Sequence, residues 1–298
     1  MTSPQSIAAI IVTYNRFALL QQSIAAVRVQ TRPADEIIVV DNGSTDETPA
    51  WLARQTGLTV IRQENSGSSG GQFTGIKAGF EHGHEWFWCL DDDTIPEPAA
   101  LERLTASPAF SRPETGFLCS LVKWTDCTLH EMNQPYLAQD TKWVVDFEKH
   151  HTVPVQSCSF VSALFSRSAV ARAGLPLREM FIWGDDVEYT RRISRSFRGY
   201  LVTDSIALHA TATNAGSGVD QVSEANASKY LFGLRNMLYI SVHNDQNFLV
   251  NFIRALRFIE RTSRICFRKC SFMTAMKLTL AMFNGLLFFH PKIERITQ

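Results

Sequence analysis

Four short apolar runs, Ile7 to Val12, Ile37 to Val40, Leu58 to Ile61 and Trp86 to Leu90, are separated by stretches with helical spacing. That alternation constrains the fold more than any other feature of the chain. Apolar runs of this length bounded by turn signals read as strands buried on both faces. Alternating with helices, they form a parallel sheet with helices covering both sides. Phe17 to Val29 carries the first helical pattern and Thr48 to Gln55 the second, which Thr45 or Asp46 can cap. A glycine-rich loop, Asn65 to Gly71, leads into a third helix through about Glu81. In such sheets ligands bind beyond the carboxyl ends of the strands. Thr13-Tyr14-Asn15, Asp41, Asn65 to Gly71 and Asp91 to Asp93 all fall on that edge.

Beyond Leu101 the pattern loosens. Gly116 to Val122 and Val153 to Phe165 read as strands, with an irregular polar stretch, Lys123 to His151, between them. Asp185 to Phe197 reads as a helix, followed by short strands at Tyr200 to Thr203 and Ile206 to His209. Thr211 to Val219, rich in Thr, Asn, Gly and Ser, is expected to be a mobile loop. From Ser223 onward the pattern is helical.

The formal net charge is zero, but the charges are unevenly placed. From Lys229 onward there are 11 Lys and Arg against 3 Asp and Glu, while the preceding part holds 18 against 26. An acidic main body argues against nucleic acid as a partner. The six cysteines form no CxxC pair and several lie in apolar runs, which suggests buried thiols in a reducing compartment. The N-terminus enters a strand pattern without a secretory signal, and no apolar stretch reaches the length of a membrane span. A cytoplasmic protein is expected, with peripheral attachment to the inner face of the cell membrane as a variant.

Asp91-Asp92-Asp93 directly follows the aromatic run Trp86 to Leu90. Three carboxylates at one strand end repel each other unless a cation or protons neutralise them. Hard oxygen ligands on a rigid strand end suit Mg²⁺ or Mn²⁺, ions that commonly accompany phosphates. The plainer alternative is a solvated acidic turn before Pro96.

Five segments in order now define a resemblance. They are Ile11 to Arg16 (IVTYNR), Ile37 to Asp46 (IIVVDNGSTD), Asn65 to Gly71, Leu90 to Pro96 (LDDDTIP) and Phe181 to Tyr189 (FIWGDDVEY). Together they resemble the inverting glycosyltransferases of family 2. The triple Asp, Trp183 to Asp186 and Leu234-Arg235-Asn236 are closest in style to bacterial galactofuranosyl- and rhamnosyltransferases. The Gln-x-x-Arg-Trp motif of processive synthases is absent; Gly233 to Asn236 stands where it would lie.

The resemblance implies a GT-A, Rossmann-like α/β fold with a mostly parallel central sheet flanked by helices and a C-terminal helical extension. Residues 1–222 would form the catalytic domain, with a donor half over about 1–100 and an acceptor half over about 101–222. Residues 223–298 would be the helical region. The implied reaction is inverting transfer of galactofuranose, or second rhamnose, from a UDP- or dTDP-sugar. The acceptor would be a glycan or lipid-linked hydroxyl in cell-surface polysaccharide synthesis, O-antigen included. Mn²⁺ or Mg²⁺ would be the cofactor.

Asp93 would ligate the metal, with Asp91 facing the ribose or holding metal-bound water. His209 is a further candidate ligand or else a structural histidine. Asp92 would bind the nucleotide sugar, or point away as a solvated charge, since alternate residues of an extended segment face opposite sides. Asp41 can accept the imide N–H of uracil or thymine, which cytosine lacks, or else cap its own turn. Thr13, Tyr14 and Asn15 would line the base, and Arg62 would contact base or phosphate or remain a surface charge. Asn65, Gly70 and Gly71 would form a phosphate-facing wall. Asp186 would be the general base, with Asp185 orienting the acceptor or capping the helix; two ordinary helix-start acids are the alternative. Trp183 offers a stacking face for a sugar or a place in the core.

Arg254, Arg257, Arg261, Arg264 and Arg268 recur at spacings of three and four, giving one basic helix face beside apolar residues such as Leu249, Ile253 and Leu256. That pattern suits an anionic membrane surface, or packing on the catalytic domain or a second subunit. Two rivals remain. A phosphatase of the haloacid-dehalogenase type also places a DxD after an apolar strand, but at the first strand and with Thr or Val where Ile95 stands here. A catalytically inactive sugar-nucleotide-binding scaffold is the other.

Overall fold

The computed structural model describes residues 5–138, 143–243 and 248–296. Its N-terminal part runs β1 (Ile7–Thr13), α1 (Phe17–Arg28), β2 (Glu36–Asp41), α2 (Thr48–Leu52), β3 (Thr59–Arg62), α3 (Gly67–Glu81) and β4 (Trp86–Asp91). All pairings among these strands are parallel. Side chains alternate between the two faces of a strand, and on β1 both faces are closed. Ala8, Ile10 and Val12 join a core with Phe73, Ile76 and Phe80 of α3. Ile7, Ala9 and Ile11 join a second core with Leu20 and Ile24 of α1. This is why the strands read as continuous apolar runs. The register pairs Thr13 with Asp41 and Val12 with Asp91, so the polar strand ends lie side by side.

The remainder comprises β5 (Thr94–Pro96), α4 (Ala100–Ala106), β6 (Thr115–Lys123), β7 (Tyr136–Leu137), α5 (Trp143–His150), β8 (Thr152–Ser157), β9 (Ala163–Ser166), α6 (Arg167–Ala173), α7 (Asp185–Ile193) and β10 (Arg198–His209). One sheet takes the order β3-β2-β1-β4-β9-β6-β10-β8-β7, with β5 on β10. Only β6 and β10 are parallel in this half; the other pairings are antiparallel.

Several expectations need correction. Val153 to Phe165 is two strands, broken where Ser162 takes φ 58°. Ser162 is fixed there by hydrogen bonds from Trp88 Nε1 (3.0 Å) and with Ser120 Oγ (2.6 Å). The two strands foreseen between Tyr200 and His209 are one strand with a register shift between Val202 and Ile206. The shift accommodates buried Ser205, whose hydroxyl donates to Ala100 O (2.9 Å). The supposedly irregular Lys123 to His151 contains β7 and α5. Cys127 is exposed, whereas Cys89, Cys119, Cys158 and Cys266 are buried.

Three helices complete the chain: α8 (Ala227–His243), α9 (Phe248–Lys269) and α10 (Phe272–Leu287). They share their own core, including Tyr230, Leu234, Leu238, Ile259, Leu278 and Met282. A methyl group added at Gly285 of α10 would lie 2.1 Å from Arg235 O, so α8 and α10 touch backbone to backbone. Among the described residues no helix is long and apolar enough to cross a membrane.

Candidate active site

β4 delivers the triple Asp to the sheet edge, and β10 returns His209 to the same place because β5 pairs His209 with Thr94. Asp91, Asp93 and His209 each offer a ligand atom, all within 4.8 Å of one another. His209 Nε2 lies 3.1 Å from Asp93 Oδ1, and His209 Nδ1 lies 2.7 Å from Asn133 Oδ1. An amide oxygen can only accept, so Nδ1 carries a proton toward Asn133 and Nε2 is the nitrogen that faces the acids. Metal-ligating histidines are commonly oriented this way. Two carboxylates and one imidazole form a donor set that fits Mn²⁺ or Mg²⁺, the nitrogen favouring Mn²⁺.

Arg16, at the end of β1, forms ion pairs with Asp92 (3.3 Å) and with Asp93. Burial would raise the Asp93 carboxyl, but the His209 hydrogen bond and the His209 and Arg16 charges prevail and hold it at about 2. Asp91 goes the other way: burial and the neighbouring Asp93 push it up to about 7. Burial also raises Asp92 to about 6, against the pull of Arg16. The expectation of a solvated Asp92 fails, for it is 5% exposed. It accepts from Thr13 Oγ1 (2.9 Å) and Tyr14 N (3.3 Å), tying β4 to the end of β1. His130 packs against His209 with ring centres 4.6 Å apart and planes tilted by 36°, and burial with the His209 charge pushes it down to about 4.

Asp185 and Asp186 open α7 behind Gly184, which has φ 87°. Asp186 is half-buried and its Oδ1 accepts from Val187 N (2.7 Å). Loss of solvation pushes it up to about 6, and the negative charge of Asp91 adds to the effect. Asp185 is buried, with Oδ2 lacking a hydrogen-bond partner, and burial plus the Asp186 and Asp91 charges raise it well above the usual range. The two acid clusters therefore sense each other. Trp183 packs edge-on against Tyr230 (4.9 Å between ring centres) and over Gly233, and it is only half-buried.

Asp41 serves its turn and retains a further capacity. Oδ1 accepts from Ser44 N (2.8 Å), while the buried Oδ2 has no hydrogen-bond partner and lies 3.6 Å from Arg62 Nε. Arg62 also donates to Ser44 O (3.1 Å). Tyr14 is exposed and available to a base, but Thr13 is not. The Thr13 hydroxyl goes to Asp92 and its carbonyl accepts from Asn42 N (2.9 Å). Asn15 takes φ 53° and accepts from Thr45 N (2.7 Å), which joins two loops of the edge.

Of the residues expected to form a phosphate-facing wall, Asn65 is exposed, whereas Gly70 and Gly71 face the interior. The glycine run is the first turn of α3, not a loop, and Gly70 and Gly71 are buried. A methyl group at Gly71 would lie 2.3 Å from Val12 Cγ1, so this glycine lets α3 lie close on β1. Two N–H groups of the helix start are already engaged: Gly67 N donates to Asn65 Oδ1 (3.0 Å) and Ser69 N to Phe181 O (3.2 Å).

Sequence reasoning also overlooked two residues. Arg16 could have been found by asking which cation neutralises an acidic sheet edge. Asn133 lies in a stretch without periodicity and offered no signal.

A mixed sheet thus carries an acid-and-histidine cluster at one edge, with a second acid pair within electrostatic reach of it. The sequence pattern of Glycosyl transferase family 2 matches residues 8–172, and the chain belongs to that family. It is 28% identical over 199 residues to galactofuranosyltransferase GlfT1 of Mycobacterium tuberculosis, covering 64% of this chain and 66% of that protein. The chain thus spans just under two thirds of that relative's length. Identity is also 28% over 212 residues to galactofuranosyltransferase GlfT1 of Mycolicibacterium smegmatis, covering 66% and 68% respectively. The fold is similar to GalNAc-T7 crystallised with UDP, GalNAc and Mn²⁺ (TM-score 0.60, 13% identity, 81% of this chain and 48% of that one). It is likewise similar to S. aureus TarS 1-349 (TM-score 0.54, 14% identity, 94% and 89%). These likenesses establish the GT-A fold.

Proposed function

We propose that this chain is an inverting, metal-dependent hexosyltransferase that moves galactofuranose from a UDP donor to a glycan or lipid-linked hydroxyl. One observation carries the reading: a cluster able to hold a cation (Asp91, Asp93, His209) and an acid pair with no cation partner among the described residues (Asp185, Asp186) sit within electrostatic reach of each other. The sugar rests on similarity to the galactofuranosyltransferases. Rhamnose from a dTDP donor is second, because an acceptor such as Asp41 Oδ2 reads uracil and thymine alike.

Asp91, Asp93 and His209 would hold Mn²⁺ or Mg²⁺, which when bound neutralises the departing diphosphate. Arg16 offers a further positive charge beside that leaving group. Tyr14 would stack on the base and Asp41 would accept its imide N–H. Asp186 takes the proton of the acceptor hydroxyl as its oxygen attacks the anomeric carbon opposite the diphosphate, and the carbon–oxygen bond to the diphosphate breaks with inversion. Asp185 and the exposed side of Trp183 would orient the acceptor. A haloacid-dehalogenase phosphatase is disfavoured because the DxD ends the fourth strand rather than the first.

Incubation with UDP-galactofuranose, dTDP-rhamnose and Mn²⁺, with glycan and lipid-linked acceptors, tests the reading. Proton NMR of the product then gives its anomeric configuration. Transfer with retention, or donor binding with neither transfer nor nucleotide release from any donor, would sink it; the latter outcome would favour a binding scaffold. We keep residues 1–222 as catalytic domain and 223–298 as helical region, supported by the separate core of the three helices.

That region would rest on an anionic membrane at the cytoplasmic face. Exposed Leu249, Ile253, Leu256, Phe272 and Leu280 support this, with Arg257, Arg261, Arg264 and Arg268 along the same helices. Flotation with vesicles containing anionic lipid checks it. A protein that stays at the bottom of the gradient would favour a subunit contact instead.

A further inference from the structure

The backbone leading into Asp185 and Asp186 is unusual. Phe181, Trp183 and Gly184 have φ of 66°, 64° and 87°. Left-handed conformations are uncommon for bulky residues and persist only where surroundings enforce them. Ile182 N donates to Met180 O (2.8 Å), which closes a tight turn. Such a turn leaves several carbonyls pointing out of any regular ladder.

Three of those carbonyls meet one side chain. Asn236 Nδ2 on α8 donates to Met180 O (2.9 Å), Ile182 O (3.1 Å) and Trp183 O (2.7 Å). Asn236 is fully buried. Its amide orientation is decided by chemistry: Oδ1 accepts from Arg235 Nε (3.0 Å) and Nη2 (2.9 Å), and a guanidinium can only donate. Nδ2 therefore has to face the carbonyls. Arg235 Nη2 extends the clamp to Glu179 O (2.7 Å) and Met180 O (3.1 Å). Below it, Gly233 makes room for Trp183, whose ring carbon would lie 2.8 Å from an added methyl group. α10 braces the same point through Gly285 against Arg235 O.

We propose that Asn236 is a positioning residue for transfer, holding the 180–184 turn so that Asp186 is presented to the acceptor. The helical region then completes the catalytic centre rather than merely flanking it. This rests on the reading of Asp186 as the base. Asn236 touches neither donor nor acceptor and acts through the turn alone.

The test compares Asn236→Leu with Asp186→Asn and the unaltered protein. Three readouts are taken: Mn²⁺-UDP affinity by calorimetry, kcat and KM with UDP-galactofuranose, and amide hydrogen exchange. Misplacing a catalytic group by about 1 Å can cost roughly a hundredfold. Asn236→Leu is therefore expected to lower kcat by about that factor, with Mn²⁺-UDP affinity unchanged and the acid limb of the pH profile displaced. Exchange should rise at 181–188 and stay unchanged in β1.

Unaltered kcat and acid limb in Asn236→Leu, with Asp186→Asn inactive, would overturn the positioning role alone. A uniform rise in exchange with parallel loss of UDP affinity would also overturn it, because that is general destabilisation. Full transfer by Asp186→Asn would remove the base reading and this inference with it. Should Asn236→Leu not fold, Asn236→Ser, which keeps one donor, is read by the same criteria.

Discussion

Two acid clusters lie within electrostatic reach of each other, and Asp93 in one and Asp186 in the other are treated in opposite ways. Asp92 and Asp93 have partners that favour negative charge, namely Arg16, His209, the Thr13 hydroxyl and the Tyr14 amide, although burial still raises Asp92 to about 6 and, with the neighbouring Asp93, Asp91 to about 7. Asp185 and Asp186 have no cation partner among the described residues; the Val187 amide and the start of α7 are their support. The consequence is visible in the proton affinities. Asp93 is held at about 2 by its hydrogen bond and charges despite burial, while burial and Asp91 push Asp186 up to about 6. Similar carboxylates thus acquire different chemistry: Asp93 is equipped to face a cation, Asp186 to exchange a proton.

The sharpest way to break this contrast is Asp186→Asn. Removing a general base costs about 10²–10⁴-fold in rate, so transfer should fall by that much. Mn²⁺-UDP affinity, measured by calorimetry, should not change. In the unaltered enzyme kcat/KM should fall on the acid side of about 6, because only ionised Asp186 accepts the proton. A profile flat down to pH 4 would assign the proton elsewhere.

Asp93→Ala attacks the other cluster and should invert the result. Donor affinity in Mn²⁺ should drop by more than the roughly 10–100-fold typical of outer-sphere changes. Mn²⁺-independent nucleotide binding should remain. Retained Mn²⁺-dependent affinity would remove Asp93 as a ligand. Asn133→Ala probes the layer behind it. Freed from its amide partner, the His209 ring can adopt the wrong tautomer, and a loss of about 10–100-fold in Mn²⁺ affinity is expected by electron paramagnetic resonance titration. No loss would mean that His209 is structural.

The donor side was legible in the sequence because each parallel strand is short, apolar and closed by a polar residue. Ile7 to Val12 and Trp86 to Leu90 could only be strands covered on both faces, and parallel register then had to align Thr13, Asp41 and Asp91. What failed was subtler. Gly70 and Gly71 read as ligand-facing because glycine signals close approach without saying of what; here Gly71 lets α3 approach β1, and Gly70 makes room for Ser66. Asp92 read either as a sugar contact or as a solvated charge because strand alternation was extended past the strand, whereas a turn folds it back onto Thr13. The Asn236 clamp depends on three carbonyls of a strained turn, and no residue pattern encodes where a carbonyl points.

The smallest expected effect sharpens the contrast in stability. The Asp186 carboxyl has its folded affinity raised from an unfolded value near about 3.9 to about 6. The fold therefore favours the protonated form. Its contribution is fully present below the unfolded value and is lost as pH rises through about 6. In metal-free protein Asp186→Asn, which cannot ionise, should unfold at a higher midpoint than the unaltered chain at pH 7. The gap should be about 2–4 °C, the size of roughly one kcal/mol in such a domain, and should shrink toward pH 4. Asp93→Asn should do the reverse at pH 7, because it leaves Arg16 and His209 facing a neutral amide. If both substitutions lower the midpoint alike, the two clusters are electrostatically equivalent and the division of labour between cation and proton fails.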